Sequence, residues 1–237
     1  DGAIIMWTAF GGGNIVSDEN GTDFAVGAKK FRLNIIGSFN VYNALAAIAV
    51  GRAQKISDEK IATGLASVKL VEGRMEMVDA KQDFKVIVDY AHEPMSLTEL
   101  FQSLRHIILA GNKLISVVGA DGGGRDKGKR ETMGEVAGRL CNFVVITDVN
   151  CYDEDPTQIA EMLAVGARKA GKKQGEDLFV IIDRREAIAK AVALAGAGDV
   201  VVLTAKGTEP YMAMAGGKRI PWDDRKVARE VLRPIEK

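Results

Sequence analysis

The sequence predicts an open, doubly wound α/β fold with a mostly parallel sheet over most of its 237 residues. After residue 75, short runs rich in Val and Ile alternate with stretches of helical composition. These runs are apolar almost throughout, which is typical of strands that helices cover on both faces. Regular alternation of strand with helix indicates a parallel sheet with crossover helices.

The elements of this region follow in order from that pattern. The predicted strands are residues 84–90, 113–119, 143–149, 178–183 and 199–205, and the predicted helices are residues 94–110, 131–141, 156–170 and 185–195.

The first 75 residues follow a different pattern. Residues 3–10 are predicted to form a strand, and residues 15–26 a hairpin that turns at Asn20-Gly21, a pair suited to a type I′ turn. Two helices follow. The first is predicted over residues 38–54 with Ser38 as its N-cap, and the second runs from a Ser57 cap to Val68.

The composition excludes several classes of protein. Lys plus Arg and Asp plus Glu both number 32, so no excess of positive charge favours nucleic acid or an acidic membrane surface. Two cysteines are too few for a disulfide framework. No apolar run approaches the roughly 18 residues that span a bilayer. We expect a cytoplasmic monomer, without nucleic-acid or membrane partners, that is part of a longer chain because it begins with Asp1.

Polar residues follow four of the predicted strands. They are Asp89 with His92, the loop 119–130, residues 148–155 and residues 206–209. Ligands of parallel α/β sheets bind outside the carboxyl ends of the strands. The sequence therefore predicts a ligand site at this edge, although these residues alone do not identify a reaction.

The loop GADGGGRDKGKRETMG (119–134) is rich in glycine and in cations. From Gly123 to Lys129 it is close to a phosphate-binding P-loop, but Arg130 stands where Ser or Thr would hold Mg²⁺. The dinucleotide pattern G-x-G-x-x-G is absent. Its cations, near the start of a helix, suit a carboxylate or a phosphate, although a flexible charged crossover is an equal explanation. These cations are Arg125, Lys127, Lys129 and Arg130.

Two other pairs of polar residues have both a structural and a functional interpretation. Asp89 either caps the next helix or accepts bonds from ribose hydroxyls, with His92 on the surface or against a base or phosphate. Asn40 and Asn43 lie on one helical face, from which their amides either read an adenine edge or bond to a neighbouring loop.

Eight segments together resemble the Mur ligases, most closely the UDP-N-acetylmuramoyl-tripeptide synthetase type. They are GSFNVYNALAAIAV (37–50), GRME (73–76), VIVDYAHEPMSL (86–97), VGADGGGRDKGKRETMG (118–134), TDVNCYDEDP (147–156), DRREAI (183–188), KGTEPYM (206–212) and WDDR (222–225). They occur in the family's order and spacing, which is a far more specific signal than one glycine pattern.

Two alternatives remain beside this resemblance. Folylpolyglutamate and cyanophycin synthetases share the architecture and the acyl-phosphate chemistry, whereas residues 86–94 and 125–130 favour the muropeptide branch. An alternative of another class is a non-catalytic α/β module that binds an amino acid or a nucleotide.

The resemblance implies two domains. Residues 1–75 would be the C-terminal portion of the central ATP-binding domain, and residues 76–237 the Rossmann-like, amino-acid-binding C-terminal domain. The implied enzyme uses ATP and Mg²⁺ to convert the carboxylate of a UDP-MurNAc-peptide to an acyl phosphate, which the amine of an amino acid attacks. This reaction belongs to peptidoglycan precursor synthesis.

The family's P-loop and main Mg²⁺ ligands belong to an earlier part of the central domain, and no G-x-x-G-K-[ST] segment occurs in this sequence. We therefore expect the loop 123–130 to face the amino acid. Residues 1–237 alone are expected to be inactive, and we assign them no catalytic and no metal-ligating residue.

Five residues are implied to bind ATP. Asn40 and Asn43 would face the adenine, Arg74 and Asp89 would reach the ribose or the phosphates, and His92 would lie near the nucleotide.

Five other residues are implied to bind the amino acid. Arg125 would pair with its carboxylate, and Asn150 and Glu209 would contact its far end. Lys206 and Glu209 are retained from the family's Gly-Lys-Gly-His-Glu segment. Tyr152 replaces the arginine with which relatives that add diaminopimelate grip the distal carboxylate, and a phenol does not substitute for a guanidinium. This change disfavours diaminopimelate and leaves lysine or another amino acid open.

Overall fold

The computed structural model describes residues 12–18 and 20–232. The chain divides into two compact units between Val71 and Glu72, a few residues before the predicted boundary. The assignment of the first unit to an ATP-binding domain stays a prediction. The predicted strand at residues 3–10 lies outside the described residues.

The first unit contains a three-stranded antiparallel sheet and two helices. Its elements are β1 (Gly12–Asp18), β2 (Gly21–Val26), β3 (Lys29–Leu33), α1 (Asn40–Ala53) and α2 (Asp58–Ser67). The predicted hairpin is confirmed, but Asp18 pairs with Gly21, so Asn20 lies in the turn and Gly21 begins β2. Phe24 and Phe31 face each other across β2 and β3 and stack in the core.

The two helices of this unit differ in how they begin. Ser57 caps α2 as predicted, because its hydroxyl accepts the Lys60 N–H. The predicted cap Ser38 is wrong. The residue before α1 is Phe39, which makes no side-chain cap. The carbonyls of Gly37 and Ser38 accept the first helical N–H groups, so a side chain is not needed to satisfy them.

The second unit contains a six-stranded sheet in the order β4-β5-β9-β6-β7-β8. The strands are β4 (Glu76–Met77), β5 (Lys85–Val88), β6 (Leu114–Val118), β7 (Phe143–Ile146), β8 (Leu178–Val180) and β9 (Val200–Leu203). The helices are α3 (Pro94–Ile107), α4 (Gly128–Leu140), α5 (Pro156–Lys169), α6 (Arg184–Leu194) and α7 (Asp224–Leu232). Only the short β4 is antiparallel to its neighbour, so the predicted mostly parallel α/β fold is confirmed.

A small hairpin follows the last strand of this sheet. Its strands are β10 (Tyr211–Ala213) and β11 (Arg219–Pro221). No helix among the described residues is long and apolar enough to cross a membrane.

The strand residues of this sheet are apolar, and the helices bury them. Val117 and Val201 share one core cluster with Ala187 and Ile188 of α6 and with Val227 of α7. The buried runs of Val and Ile that predicted the strands therefore form the centre of the unit.

Helices α4 and α5 approach each other so closely that their backbones touch. A Cβ atom at Gly134 would lie 1.8 Å from the Leu163 carbonyl oxygen, and one at Gly166 would lie 1.8 Å from that of Glu131. Because α4 directly follows the glycine-rich loop, this contact fixes the position at which the loop ends.

We predict that Gly134→Ala destabilises the protein by about 1–3 kcal/mol, since the added methyl group forces the two helices apart. Urea denaturation measures the loss. Gly64→Ala in α2 is the control, because a Cβ atom there meets nothing within 4 Å. That change removes a helix glycine and is expected to stabilise by about 0.5–1 kcal/mol. Equal stability of Gly134→Ala and the wild type would contradict the contact.

Candidate functional site

Asn150, in the loop after β7, is the centre of a buried polar network. Its Nδ2 donates to Asp121 Oδ1 at 2.9 Å and to Glu209 Oε2 at 3.0 Å. Its Oδ1 accepts from Lys206 Nζ at 3.0 Å and from the Ala213 N–H at 2.9 Å. An amide has two N–H donors and two acceptor positions, so every one of them is used. With 4 % of its surface exposed, Asn150 organises its neighbours and has no free polar group.

Lys206 is fully buried beneath Glu209. Its ammonium donates to Asn150 Oδ1, to Glu209 Oε2 at 2.8 Å and to the Tyr211 carbonyl, so its three protons are all used. Burial lowers the pKa of Lys206, and the bond to Glu209 opposes this shift. Burial also raises the pKa of Glu209, but the bonds from Lys206 and Asn150 outweigh it and leave that pKa below its usual value. The lysine therefore holds the Glu209 carboxylate in place.

The hairpin strand β10 completes this network with its backbone. On the edge away from β11, Ala213 donates to Asn150 and accepts the Tyr152 N–H at 3.1 Å. The carbonyl of Tyr211 accepts from Lys206 on the same edge. The loop that carries Asn150 and Tyr152 thus pairs with β10 much as a further strand would.

Arg125 lies at the exposed rim of this network. Its side chain is 53 % exposed, and its Nη1 donates to Asp121 Oδ2 at 2.7 Å. The guanidinium also lies 6.0 Å from the centre of the Tyr152 ring. Gly123, two residues earlier, has a φ of +69°, and a Cβ atom there would come within 2.9 Å of the same ring. The glycine therefore lets the loop pass close to Tyr152.

The other cations of the loop are bonded within the protein. Lys127 and the buried Arg130 both bond Glu154, and Lys129 bonds Glu93. Asp126 accepts the Gly128 N–H at the start of α4. The buried Arg130 and Lys129 are therefore not available to an anionic ligand, because carboxylates from the next loop and from the start of α3 bond them.

Asp89 is almost fully buried, and its carboxylate bonds to the backbone. Its Oδ1 accepts the Ala91 N–H at 2.8 Å, and its Oδ2 accepts the Met75 N–H at 2.9 Å. Burial raises the pKa of Asp89, and these two bonds together with nearby Arg74 oppose the shift. This geometry favours a structural role over contact with a ribose. The helix cap itself is Glu93, not Asp89.

Arg74 and His92 both contact the ring of Tyr90. The Arg74 guanidinium is exposed and lies 4.6 Å from the centre of the Tyr90 ring, which the His92 ring meets edge-on at 4.8 Å. His92 Nδ1 lies 2.8 Å from the Tyr90 carbonyl oxygen. Both side chains keep polar atoms that a ligand can reach.

In the first unit, the two asparagines of α1 bond to each other. Asn40 is buried and donates to the Ile36 carbonyl at 2.8 Å, while its Oδ1 accepts from Asn43 at 3.1 Å. Asn43 is exposed. The predicted common face is correct, but the Asn40 amide is largely used by the protein, and Asn43 carries the accessible group.

Two residues that bond to the site were not predicted from the sequence. Asp121 bonds both Arg125 and Asn150, and the Tyr90 hydroxyl donates to Glu209 Oε1 at 3.2 Å. Asp121 lies within the glycine-rich loop, and a carboxylate directly before its three consecutive glycines was the available signal.

A buried ion pair supports this edge of the sheet. Arg184 donates to both oxygens of Asp224, at 2.9 and 2.6 Å, and to the Thr204 carbonyl at 2.7 Å. Such a two-bond pairing fixes orientation as well as distance. It ties the first residues of α6 and α7 to the end of β9, and both residues fall within segments that suggested the family.

The family model described as Mur ligase, glutamate ligase domain, matches residues 73–207. The chain belongs to the Mur ligase family. The match covers the glycine-rich loop, the Asn150 loop and Lys206, and the predicted family is confirmed.

Relatives of this Mur ligase chain include two curated bacterial proteins. It is 40% identical over 223 residues to the UDP-N-acetylmuramyl-tripeptide synthetase of Roseiflexus sp. (strain RS-1), covering 92% of this chain and 43% of the relative. It is 42% identical over 225 residues to the UDP-N-acetylmuramoyl-L-alanyl-D-glutamate--2,6-diaminopimelate ligase of Syntrophomonas wolfei, and the match covers 93% of this chain and 45% of that relative. The chain thus spans less than half the length of these relatives.

Solved structures that are similar to it include the following two. A UDP-N-acetylmuramoyl-L-alanyl-D-glutamate--2,6-diaminopimelate ligase has a TM-score of 0.62 and 29% identity, over 93% of this chain and 44% of that one. Folylpolyglutamate synthase from Mycobacterium tuberculosis has a TM-score of 0.61 and 20% identity, over 81% of this chain and 44% of that one. The second likeness shows the shared fold alone.

Glu154 generates a prediction about pH. Hydrogen bonds from Arg130, from the Gly124 N–H and from Lys127 lower the pKa of Glu154 from 4.5 to about 2. A lowered carboxyl pKa stabilises the fold above the unfolded value, and this contribution is lost as the pH falls through the folded value. We expect Glu154→Gln to be less stable than the wild type at pH 7, with a difference that shrinks between pH 4.5 and pH 2.

Urea denaturation at several pH values measures this difference. Glu161→Gln in α5 is the matched control, because its partner Arg168 forms an exposed pair, which contributes little to stability. A Glu154→Gln difference that stays constant down to pH 2 would show that the carboxylate is not held charged by these bonds.

Proposed function

We propose that this chain forms the amino-acid-binding part of an ATP-dependent ligase that joins an amino acid to a UDP-MurNAc-peptide in peptidoglycan precursor synthesis. The carrying observation is the family match over residues 73–207 with identities of 40% and 42% to named ligases of this kind. The exposed Arg125 beside the buried Asn150 network supports the proposal, because it offers a cation and a carboxylate to an amino acid.

In this mechanism, Arg125 binds a carboxylate of the incoming amino acid. A guanidinium presents two parallel N–H groups to the two oxygens of a carboxylate, which fixes the orientation of the substrate. Because Arg125 has one ion-pair partner and a half-exposed side chain, it can turn toward a ligand without unpacking the core.

Glu209 supplies the opposite charge. Lys206 and Asn150 hold one of its oxygens, and the Tyr90 hydroxyl bonds the other. Its side chain is partly exposed, whereas Asn150 and Lys206 are buried with every polar group used. We therefore assign contact with the substrate to Glu209, and positioning of its carboxylate to Asn150 and Lys206.

Arg74, His92 and Asn43 are the predicted nucleotide residues whose polar groups remain accessible, and we propose that they contact ATP. Asn40 and Asp89 support the local backbone. When bound, ATP supplies the phosphoryl group that activates the peptide carboxylate, and Mg²⁺ neutralises the charge of its phosphates. Among residues 12–18 and 20–232, no three His, Cys, Asp or Glu side chains lie together in a way that could hold a metal ion.

Phosphate release from ATP by the full-length protein tests this function. The reaction contains UDP-MurNAc-dipeptide and one amino acid at a time, including L-lysine and meso-diaminopimelate. Release that requires both the peptide and the amino acid supports the proposal. Activity with a folate and glutamate instead would identify a folylpolyglutamate synthetase, and absence of activity with every substrate would favour a binding module.

We predict that Arg125→Ala raises the KM for the amino acid at least tenfold and leaves the KM for ATP nearly unchanged. Losing one partner of a charged hydrogen bond costs about 2–5 kcal/mol when the bound substrate shields that bond from water. Steady-state kinetics with each substrate varied in turn measures the effect. Arg139→Ala in α4 is the control, because that arginine is exposed and bonds Glu135 on its own helix.

Tyr152 generates a prediction about selectivity. Tyr152→Arg adds a cation near Arg125 and is expected to raise kcat/KM for meso-diaminopimelate relative to L-lysine, since the former carries a second carboxylate. Tyr152→Phe, which keeps the ring, is the control and should leave the ratio unchanged. If Tyr152→Arg also leaves it unchanged, this loop does not contact the distal end of the substrate.

A further inference from the structure

Asp121 has a position that the role of Arg125 does not explain. Its side chain is only 11 % exposed, and it bonds two different residues: Oδ2 accepts from Arg125, and Oδ1 accepts from Asn150. We propose that Asp121 receives the ammonium group of the amino-acid substrate while Arg125 receives the carboxylate on the same carbon. This inference rests on the proposed ligase function and adds a specificity-determining residue to it.

The geometry places two carboxylates around one point. Asp121 Oδ1 and Glu209 Oε2 bond the same nitrogen of Asn150 at 2.9 and 3.0 Å, so these oxygens are within about 6 Å of each other. Charged N–H···O bonds are about 2.7–2.9 Å long. An ammonium group bonded to Asp121 Oδ1 therefore also lies near the negative charge of Glu209.

The charges of the site indicate how an amino acid enters. Lys206 is buried, and its three protons are used, so it stays with Glu209. Arg125 is exposed and is the cation that bonds Asp121. When Arg125 turns to a substrate carboxylate, Asp121 keeps its bond to Asn150 but loses its cationic partner. Its position is partly desolvated, and charge interactions there are strong. A substrate ammonium replaces the guanidinium, and the net charge of the site is unchanged.

Tyr90 adds a neutral donor to the same surroundings. Its hydroxyl bonds Glu209 Oε1, and burial together with the charges of Glu209 and Asp121 raises the pKa of Tyr90. The phenol therefore stays protonated and adds no further negative charge. The charged groups around the proposed ammonium position are Asp121, Glu209, Lys206 and Arg125.

A different role for Asp121 predicts the opposite result. If Asp121 only holds Arg125 in the absence of ligand, it competes with the substrate carboxylate. Its removal would then free Arg125 and lower the KM for the amino acid. If Asp121 binds the ammonium group, its removal raises that KM.

The first test is steady-state kinetics of full-length Asp121→Asn, which keeps the shape of the side chain and an oxygen that can accept from Asn150. We expect the KM for L-lysine or meso-diaminopimelate, whichever the wild type uses, to rise at least tenfold, with less than a twofold change for ATP. Asp126→Asn in the same loop is the matched control, because that side chain caps α4. An unchanged or lower amino-acid KM in Asp121→Asn would overturn the inference.

The second test compares L-norleucine with hexanoate as inhibitors, because the two differ only in the α-ammonium group. We expect the wild type to bind L-norleucine at least tenfold more tightly than hexanoate, and Asp121→Asn to reduce this ratio toward one. A ratio equal to that of the wild type would refute the role of Asp121. If Asp121→Asn lacks the wild-type circular dichroism spectrum, Asp121→Ser replaces it. Absence of amino-acid-dependent phosphate release by the wild type would instead refute the proposed function.

Discussion

The amide of Asn150 holds together segments that are far apart in the sequence. It bonds the glycine-rich loop through Asp121, the loop after β9 through Lys206 and Glu209, and the hairpin strand β10 through Ala213. Only an amide presents two donors and two acceptors in one plane, so neither aspartate nor leucine at this position could make the same set of bonds. Asp121, Lys206 and Glu209 bond this side chain directly, and Arg125 is linked to it through Asp121.

Internal ion pairing decides which charges a ligand meets. Glu154 bonds both Lys127 and Arg130, Glu93 bonds Lys129, and Lys206 is buried beneath Glu209. The cation-rich composition of the loop therefore overstates its affinity for anions. Beside the exposed Lys127, the charges that remain near the surface belong to Arg125 and Glu209, with Asp121 between them. This combination of both signs suits a zwitterion better than a phosphate.

Rigid packing around the site supports this arrangement. The glycines between α4 and α5 fix the helix that follows the loop, and the buried pair of Arg184 and Asp224 ties α6 and α7 to the end of β9. The Asp89 carboxylate accepts the N–H of Met75, just before β4, and the N–H of Ala91, just after β5. Groups that contact a ligand need such fixed neighbours, because a displacement of about 1 Å is enough to weaken binding and catalysis.

The sequence by itself determined the parallel α/β fold, the β1–β2 hairpin, the Ser57 cap and the family, because local composition, period and ordered motifs carry that information. It also predicted that Arg125, Asn150, Lys206 and Glu209 belong to one edge of the sheet. The tertiary structure alone decided which of these side chains a ligand can reach. The Ser38 cap fails for a local reason, because the Gly37 and Ser38 carbonyls already accept the first N–H groups of α1. The paired Arg130 and the bonded Asp89 carboxylate share a different physical reason. A buried polar group is bonded by whichever partner folding brings near, and partners distant in sequence leave no local pattern.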